Sequence, residues 1–294
     1  MIPVTSLARL LVLPAAILIA ACGTGWADAV ELKPYKDRLF GYPGILSSTD
    51  DGAAIAVDYR ELRDINRRDA VPERRVQAAY VDLGVRRSQQ DLVVDGIRHI
   101  AVGRTDGARI ITIYLHGQGG NRMQGANDFT FGGNFNRIKN LMARNGGLYL
   151  TIDLPDFGAG GAAAVSRLIA YYGRTSSDAP VFIACGSMGG ILCWRMAGGS
   201  QVVERLGGLI LLGSDRDERF LASPAFRRRV PVLVAHGSRD SVFPIDRQRA
   251  FFDTVRRHAP GYPIRFVRFE TGSHGTPIRM TDWRETLNWM LSQR

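Results

Sequence analysis

The sequence predicts an α/β protein: a mostly parallel, twisted sheet flanked by helices. Three observations carry that expectation. Compact apolar runs of strand length recur at Ile110–Leu115, Leu148–Ile152, Pro180–Ala184, Leu209–Leu212, Val230–Ala235 and Ile264–Phe269. Helical patterns at about Phe135–Arg144 and Ala162–Tyr172 alternate with these strands, and a strand followed by a helix and then another strand favours parallel pairing. Finally, the 294 residues, less a leader, suffice for one domain with a substantial core, and no internal repeat or low-complexity tract interrupts them.

The elements follow in order. Residues 1–21 read as a signal peptide, with Arg9 ahead of the apolar stretch Leu10–Ala21. That stretch is shorter than the roughly 20 residues a spanning helix needs, and Pro14 interrupts it. Leu18-Ile19-Ala20-Ala21-Cys22 resembles a bacterial lipobox, which predicts cleavage before Cys22 and lipid attachment to its sulfur, while Ala27-Asp28-Ala29 offers an alternative cleavage after Ala29. Either route predicts an exported protein of a bacterial envelope, periplasmic or lipid-anchored. Residues 30–75 read as an N-terminal extension in which the charged run Tyr59–Asp69 suits an amphipathic helix resting on the core. The domain proper is expected over residues 76–294, opening with antiparallel strands at Gln77–Leu83 and Arg98–Val102.

Chemistry concentrates where strands end. The strand preceding Ala184-Cys185-Gly186-Ser187-Met188-Gly189-Gly190 runs into small residues and then an apolar helical pattern through Ile191, Leu192, Trp194 and Met196. A serine projects its hydroxyl clear of a sheet only from such a sharp strand-to-helix turn. Upstream, Ile110–Leu115 leads into His116-Gly117-Gln118-Gly119-Gly120-Asn121, whose glycines let backbone approach a substrate carbonyl. The N–H groups of Gln118 and Met188 are the expected pair that holds an oxyanion. Downstream, Val230–Ala235 opens into His236-Gly237-Ser238-Arg239-Asp240, and Ile264–Phe269 into Glu270-Thr271-Gly272-Ser273-His274-Gly275. Asp240 is the candidate acid and His274 the candidate base.

Strand-His-Gly-x-Gly-Gly, strand-x-Gly-Ser-Met-Gly-Gly, Gly-x-x-Asp-x-x-Phe-Pro and Gly-x-His-Gly, in that order from roughly Val76 to the C-terminus, resemble the α/β-hydrolase superfamily. The resemblance implies the α/β-hydrolase fold, with Ser187 as nucleophile, Asp240 orienting the histidine, and His274 as general base and then acid. One departure stands at Cys185, in the place of the first glycine of the usual Gly-x-Ser-x-Gly. Asp215 and Asp217, after the strand Leu209–Leu212, are an alternative source of the acid. His116 is read as part of its loop, and Asp153 as a strand-end aspartate that bonds loop backbone.

Competing chemistries fit less well. Gly117-Gln118-Gly119-Gly120-Asn121-Arg122 begins like a dinucleotide fingerprint, yet Arg122 fills the place of the last glycine, and no phosphate-loop Gly-Lys pair occurs. His99, His116, His236, His258 and His274 lack His-Glu-x-x-His spacing, and the cysteines form no Cys-x-x-Cys. Neither a cofactor nor a metal is therefore expected. Dehalogenases and epoxide hydrolases of this resemblance carry aspartate where Ser187 stands.

The net charge of +10, from 38 Lys plus Arg against 28 Asp plus Glu, comes almost wholly from scattered arginines, so no nucleic-acid partner is expected. Such a surface could favour anionic lipid headgroups or acidic envelope polymers. Of the 3 cysteines, Cys185 and Cys193 fit either a bridge or two buried thiols, the second being the simpler expectation. The short link from Leu212 to Val230 predicts little or no cap, and Met123, Phe129 and Phe131 could line an acyl pocket or pack under their loop. Gly158–Gly161 could form part of the rim or simply start a helix. The leading expectation is a serine hydrolase of small-molecule or lipid carboxylic esters. A thioesterase, an amidase or peptidase, a cofactor-free perhydrolase, and a non-catalytic envelope binding lipoprotein are the alternatives.

Overall fold

The computed structural model describes Met1, residues 30–64 and residues 78–294. Residues 2–29, with the expected leader and Cys22, together with Gln77 and the part of Tyr59–Asp69 beyond Asp64, lie outside the described residues.

Among the described residues ten strands form one sheet: β1 (Ile45–Thr49), β2 (Ala54–Val57), β3 (Gln90–Val94), β4 (Ile97–Gly103), β5 (Ile111–Leu115), β6 (Leu148–Ile152), β7 (Val181–Gly186), β8 (Leu206–Leu212), β9 (Val232–Gly237) and β10 (Ile264–Phe269). Their spatial order is β1-β2-β10-β9-β8-β7-β5-β6-β4-β3. Pairing is antiparallel in β1/β2, β3/β4 and β4/β6 and parallel elsewhere. This is the α/β-hydrolase fold, extended at one edge by the N-terminal hairpin β1–β2.

Strands β5 to β9 read as near-continuous apolar runs because both faces are covered. On β7, Val181, Ile183 and Cys185 enter the core beneath α2 (Ala159–Thr175), α3 (Gly190–Gly198) and α4 (Ile245–His258), beside Leu168, Leu192 and Phe252. Phe182 and Ala184 face the opposite core, with Phe135, Ile138 and Leu141 of α1 (Asn134–Arg144) and Trp283, Leu287 and Met290 of α5 (Trp283–Leu291). The period-2 alternation of a strand thus feeds two cores.

One expectation needs correction. The described part of Gln77–Leu83, residues 78–83, is not a strand: Ala78–Tyr80 is a 3-10 turn, and Asp82 caps the short helix Leu83–Arg87 by accepting from the N–H groups of Gly84 and Val85. A capping aspartate satisfies helix-end donors that a strand would not present. The first strand of the domain is instead β3, paired with β4. Within the Tyr59–Asp69 run, Glu61–Asp64 is helical, and the residues after Asp64 lie outside the described ones.

Chain order sets the functional edge. β6 lies on one side of β5 and β7 on the other, so connections leave in opposite directions and open a crevice at the carboxyl ends of β5 and β7. The loop after β5 and the turn after β7 both carry candidate residues.

Candidate active site

At the end of β7 the chain turns through a 3-10 step, Ser187–Gly189, into α3. Ser187 has a φ of 50°, in the left-handed region that non-glycine residues rarely adopt. Such strain, of order 1–3 kcal/mol, persists only where surrounding structure imposes it. Close packing imposes it here: a Cβ on Gly189 would lie 2.6 Å from the Leu115 carbonyl oxygen. Cys185, the departure from the glycine pattern, is fully buried and bonded to Cys193 of α3, with Cα atoms 6.2 Å apart. The expectation of two buried thiols is therefore corrected. The strand end and the first turn of α3 come close enough because the elbow folds them back on each other.

The loop after β5 packs directly on this turn. A Cβ on Gly117 would fall 2.9 Å from Ser187 Cβ, so only glycine lets the loop approach the serine. His116 is buried and its Nδ1 lies 2.7 Å from the Gly117 carbonyl, making it part of the loop. Asp153, at the end of β6, accepts from the Arg122 N–H at 2.7 Å and from its guanidinium at 2.8 Å, which pins the far end of the loop. Gln118 follows Gly117 in this loop, and Met188 lines the cavity beside Ser187.

Asp240 follows β9 and is buried. Its Oδ1 accepts from the N–H groups of Val242 (2.8 Å) and Phe243 (3.0 Å), and its Oδ2 lies 2.8 Å from His274 Nδ1. Burial pushes this carboxyl up, but hydrogen bonds from His236, His274 and the two backbone donors outweigh it and hold Asp240 well below the ordinary carboxylate range. On the loop after β10, His274 places Nε2 2.8 Å from Ser187 Oγ, and its ring packs edge-on to Phe243 at 5.6 Å. Because Nδ1 faces a carboxylate, the proton belongs there, leaving the Nε2 lone pair to accept from the serine hydroxyl. All three predicted side chains therefore meet in one hydrogen-bonded chain.

A cavity of about 540 Å³ opens at Ser187, lined by Met188, Ile191, Trp194, Phe243, Arg247 and the segment 215–219. Met123, Phe129 and Phe131 are not among its lining residues. Phe131 packs instead on Phe135 of α1, 5.9 Å between ring centres, and Met123 is exposed. The alternative acids line this cavity, but His274 Nδ1 is held by Asp240 and each of them is engaged otherwise: Asp215 accepts from Gln248 Nε2 at 2.9 Å, and Asp217 caps the turn at Arg219. Gly158 and Gly161 donate to Asp156 at the start of α2, so this segment begins a helix. Between β8 and β9 stand only the 3-10 turn Glu218–Ala222 and the short helix Pro224–Arg227, and among the described residues no cap domain is inserted there.

Sequence reasoning gave His236 no role, although it lies against Asp240. Its Nε2 is 3.0 Å from Asp240 Oδ2 and 2.7 Å from the Phe243 carbonyl oxygen. The available signal was His-Gly-x-x-Asp at the end of an apolar strand.

The chain matches no protein-family model and no curated protein. Among solved structures it is similar to a thermostable esterase, at 16% identity and a TM-score of 0.54, over 71% of this chain and 64% of that one. It is also similar to a protein of unknown function from Agrobacterium tumefaciens described as a putative alpha/beta hydrolase, at 16% identity and a TM-score of 0.51, over 70% and 95% of the two chains. Both likenesses concern the fold.

Proposed function

We propose that the protein is a serine hydrolase that cleaves carboxylic esters through an acyl-enzyme, using Ser187, His274 and Asp240. The observation that carries this reading is the unbroken chain Ser187 Oγ to His274 Nε2 (2.8 Å) and His274 Nδ1 to Asp240 Oδ2 (2.8 Å). Ser187 Oγ attacks the ester carbonyl as its proton passes to His274 Nε2, and Asp240 stabilises the resulting imidazolium. The N–H groups of Gln118 and Met188 are assigned to the oxyanion, where each donor is worth roughly 3 kcal/mol in the transition state. Collapse breaks the ester C–O bond, His274 returns the proton to the departing alcohol, and the acyl group stays on Ser187. Water, deprotonated by His274, then releases the acid and restores the serine.

The reading requires no cofactor or metal. The uncapped cavity beside Ser187 suits small-molecule esters or the acyl end of a lipid ester. We place the catalytic domain at residues 76–294 and assign the protein to the bacterial envelope, exported and anchored through a lipid on Cys22. The Leu18–Cys22 pattern supports this, and the Cys185–Cys193 bridge is in keeping with an oxidising compartment.

Turnover of 4-nitrophenyl acetate and butyrate by wild type and by Ser187→Ala tests the reading. The variant is expected to lose at least about 10⁴-fold in kcat with its fold intact. Undiminished turnover in a folded Ser187→Ala protein would overturn it and favour the non-catalytic binding lipoprotein.

A further inference from the structure

Asp240 receives more than the proposed mechanism uses. His236, the penultimate residue of β9, is fully buried, and its Nε2 sits between two acceptors, Asp240 Oδ2 at 3.0 Å and the Phe243 carbonyl at 2.7 Å. Its Nδ1 is buried with no hydrogen-bond partner. The ring proton therefore belongs on Nε2, where it is shared between carbonyl and carboxylate. Oδ2 faces two imidazoles, His274 and His236, while Oδ1 holds the N–H groups of Val242 and Phe243. Four donors around one carboxylate leave its plane no freedom to rotate.

The second acceptor matters as much. Phe243 lines the cavity at Ser187 and packs edge-on against the His274 ring, so the Phe243 main chain governs both the cavity wall and one side of the base. A single N–H on His236 ties this main chain and the acid to the rigid end of β9. A histidine placed only to fill space would not need its ring turned so that one nitrogen meets both groups while the other goes unpartnered.

We propose that His236 is a positioning residue for hydrolysis: its Nε2–H holds Asp240 and the Phe243 carbonyl together so that His274 stays aligned on Ser187. This rests on the serine hydrolase reading. Because His236 does not line the cavity, its removal should act on kcat and spare KM.

The test compares His236→Phe, which keeps a ring and loses the donor, with His236→Gln, whose side-chain N–H₂ can reach the same two oxygens. With 4-nitrophenyl acetate, His236→Phe is expected to lower kcat by about 10- to 100-fold, in the range typical of residues that orient a catalytic group, with KM within about twofold of wild type. His236→Gln is expected to restore kcat to within about threefold of wild type. Wild-type kcat in a folded His236→Phe protein, or a loss equal in both variants, overturns the proposal. If His236→Phe does not fold, ¹⁵N-histidine spectra of wild type, with the His236 signals identified by their absence in His236→Gln, decide instead. A protonated Nε2 and bare Nδ1 on His236, with Asp240→Asn shifting the signals of both rings, supports it. A bare Nε2, or a shift confined to His274, overturns it. In every case, phosphonate labelling of wild-type Ser187 reports separately on the hydrolase reading.

Discussion

Reducing the Cys185–Cys193 bridge should destabilise the protein by an amount set mainly by its short span. The bridge joins residues 8 apart, and the loop-closure entropy it removes from the unfolded chain corresponds to about 2.5 kcal/mol at 25 °C. For a domain of this size, that is a fall of about 5–10 °C in melting midpoint. Both residues are fully buried, so reductant acts once the chain has opened, and the comparison belongs in melts run with and without dithiothreitol. Cys185→Ala/Cys193→Ala should melt at least as low as the reduced wild type, because it also loses two buried sulfurs from the core beneath α3, and its midpoint should be indifferent to dithiothreitol. A wild-type midpoint unchanged by reductant, with free thiols found after denaturation, would refute the bridge and restore two buried thiols. The same elbow carries Ser187, so activity recorded alongside stability shows whether the bridge also holds the turn.

Gly117→Ala would place a methyl group 2.9 Å from Ser187 Cβ and 3.2 Å from the Gly186 carbonyl oxygen. It is expected to cut ester turnover by at least about tenfold while costing no more than the 1–3 kcal/mol typical of overpacking, read from kcat and a urea titration on one preparation. Asp82 accepts from Arg144 at 2.5 Å, from the Tyr35 hydroxyl at 2.9 Å and from the N–H groups of Gly84 and Val85, and the Arg144 hydrogen bond above all, with these others against a burial effect that raises it, lowers its carboxyl far below the ordinary range. A carboxyl lowered in the folded state stabilises above its unfolded value, near 3.9, and loses that contribution as pH falls. Asp82→Asn should therefore be less stable than wild type at pH 7, and the gap should close in urea titrations below about pH 4; a gap that widened with acid would reverse the assignment.

The parallel half of the sheet was legible because β5 to β9 are buried on both faces, and β10 at all but Arg265 and Arg268, so each appears as an apolar run with few polar breaks. Ser187, Asp240 and His274 were legible for a related reason: each follows such a run, and the structure joins them by two hydrogen bonds of 2.8 Å. The hairpin β1–β2 was not. β2 pairs with β10 across more than two hundred residues, and strand β1 is exposed along its length, so no local burial pattern marks it. At Gln77–Leu83 the alternation of small and apolar residues imitated a strand, and the capping role of Asp82 decided otherwise. The bridge depended on how tightly the elbow folds strand onto helix, which spacing alone leaves open. His236 was hidden by its place in an apolar strand, since only the three-dimensional turn from Gly237 to Phe243 brings Asp240 back over its ring.

Whether Ser187 is an activated nucleophile with His274 as its base can be read from mass-spectrometric mapping of the adduct formed by a fluorophosphonate probe. Wild type should be modified at Ser187 alone, and a folded His274→Ala protein should lose that modification. A folded wild type that stays unlabelled, or a Ser187 that labels as readily without His274, would contradict that assignment.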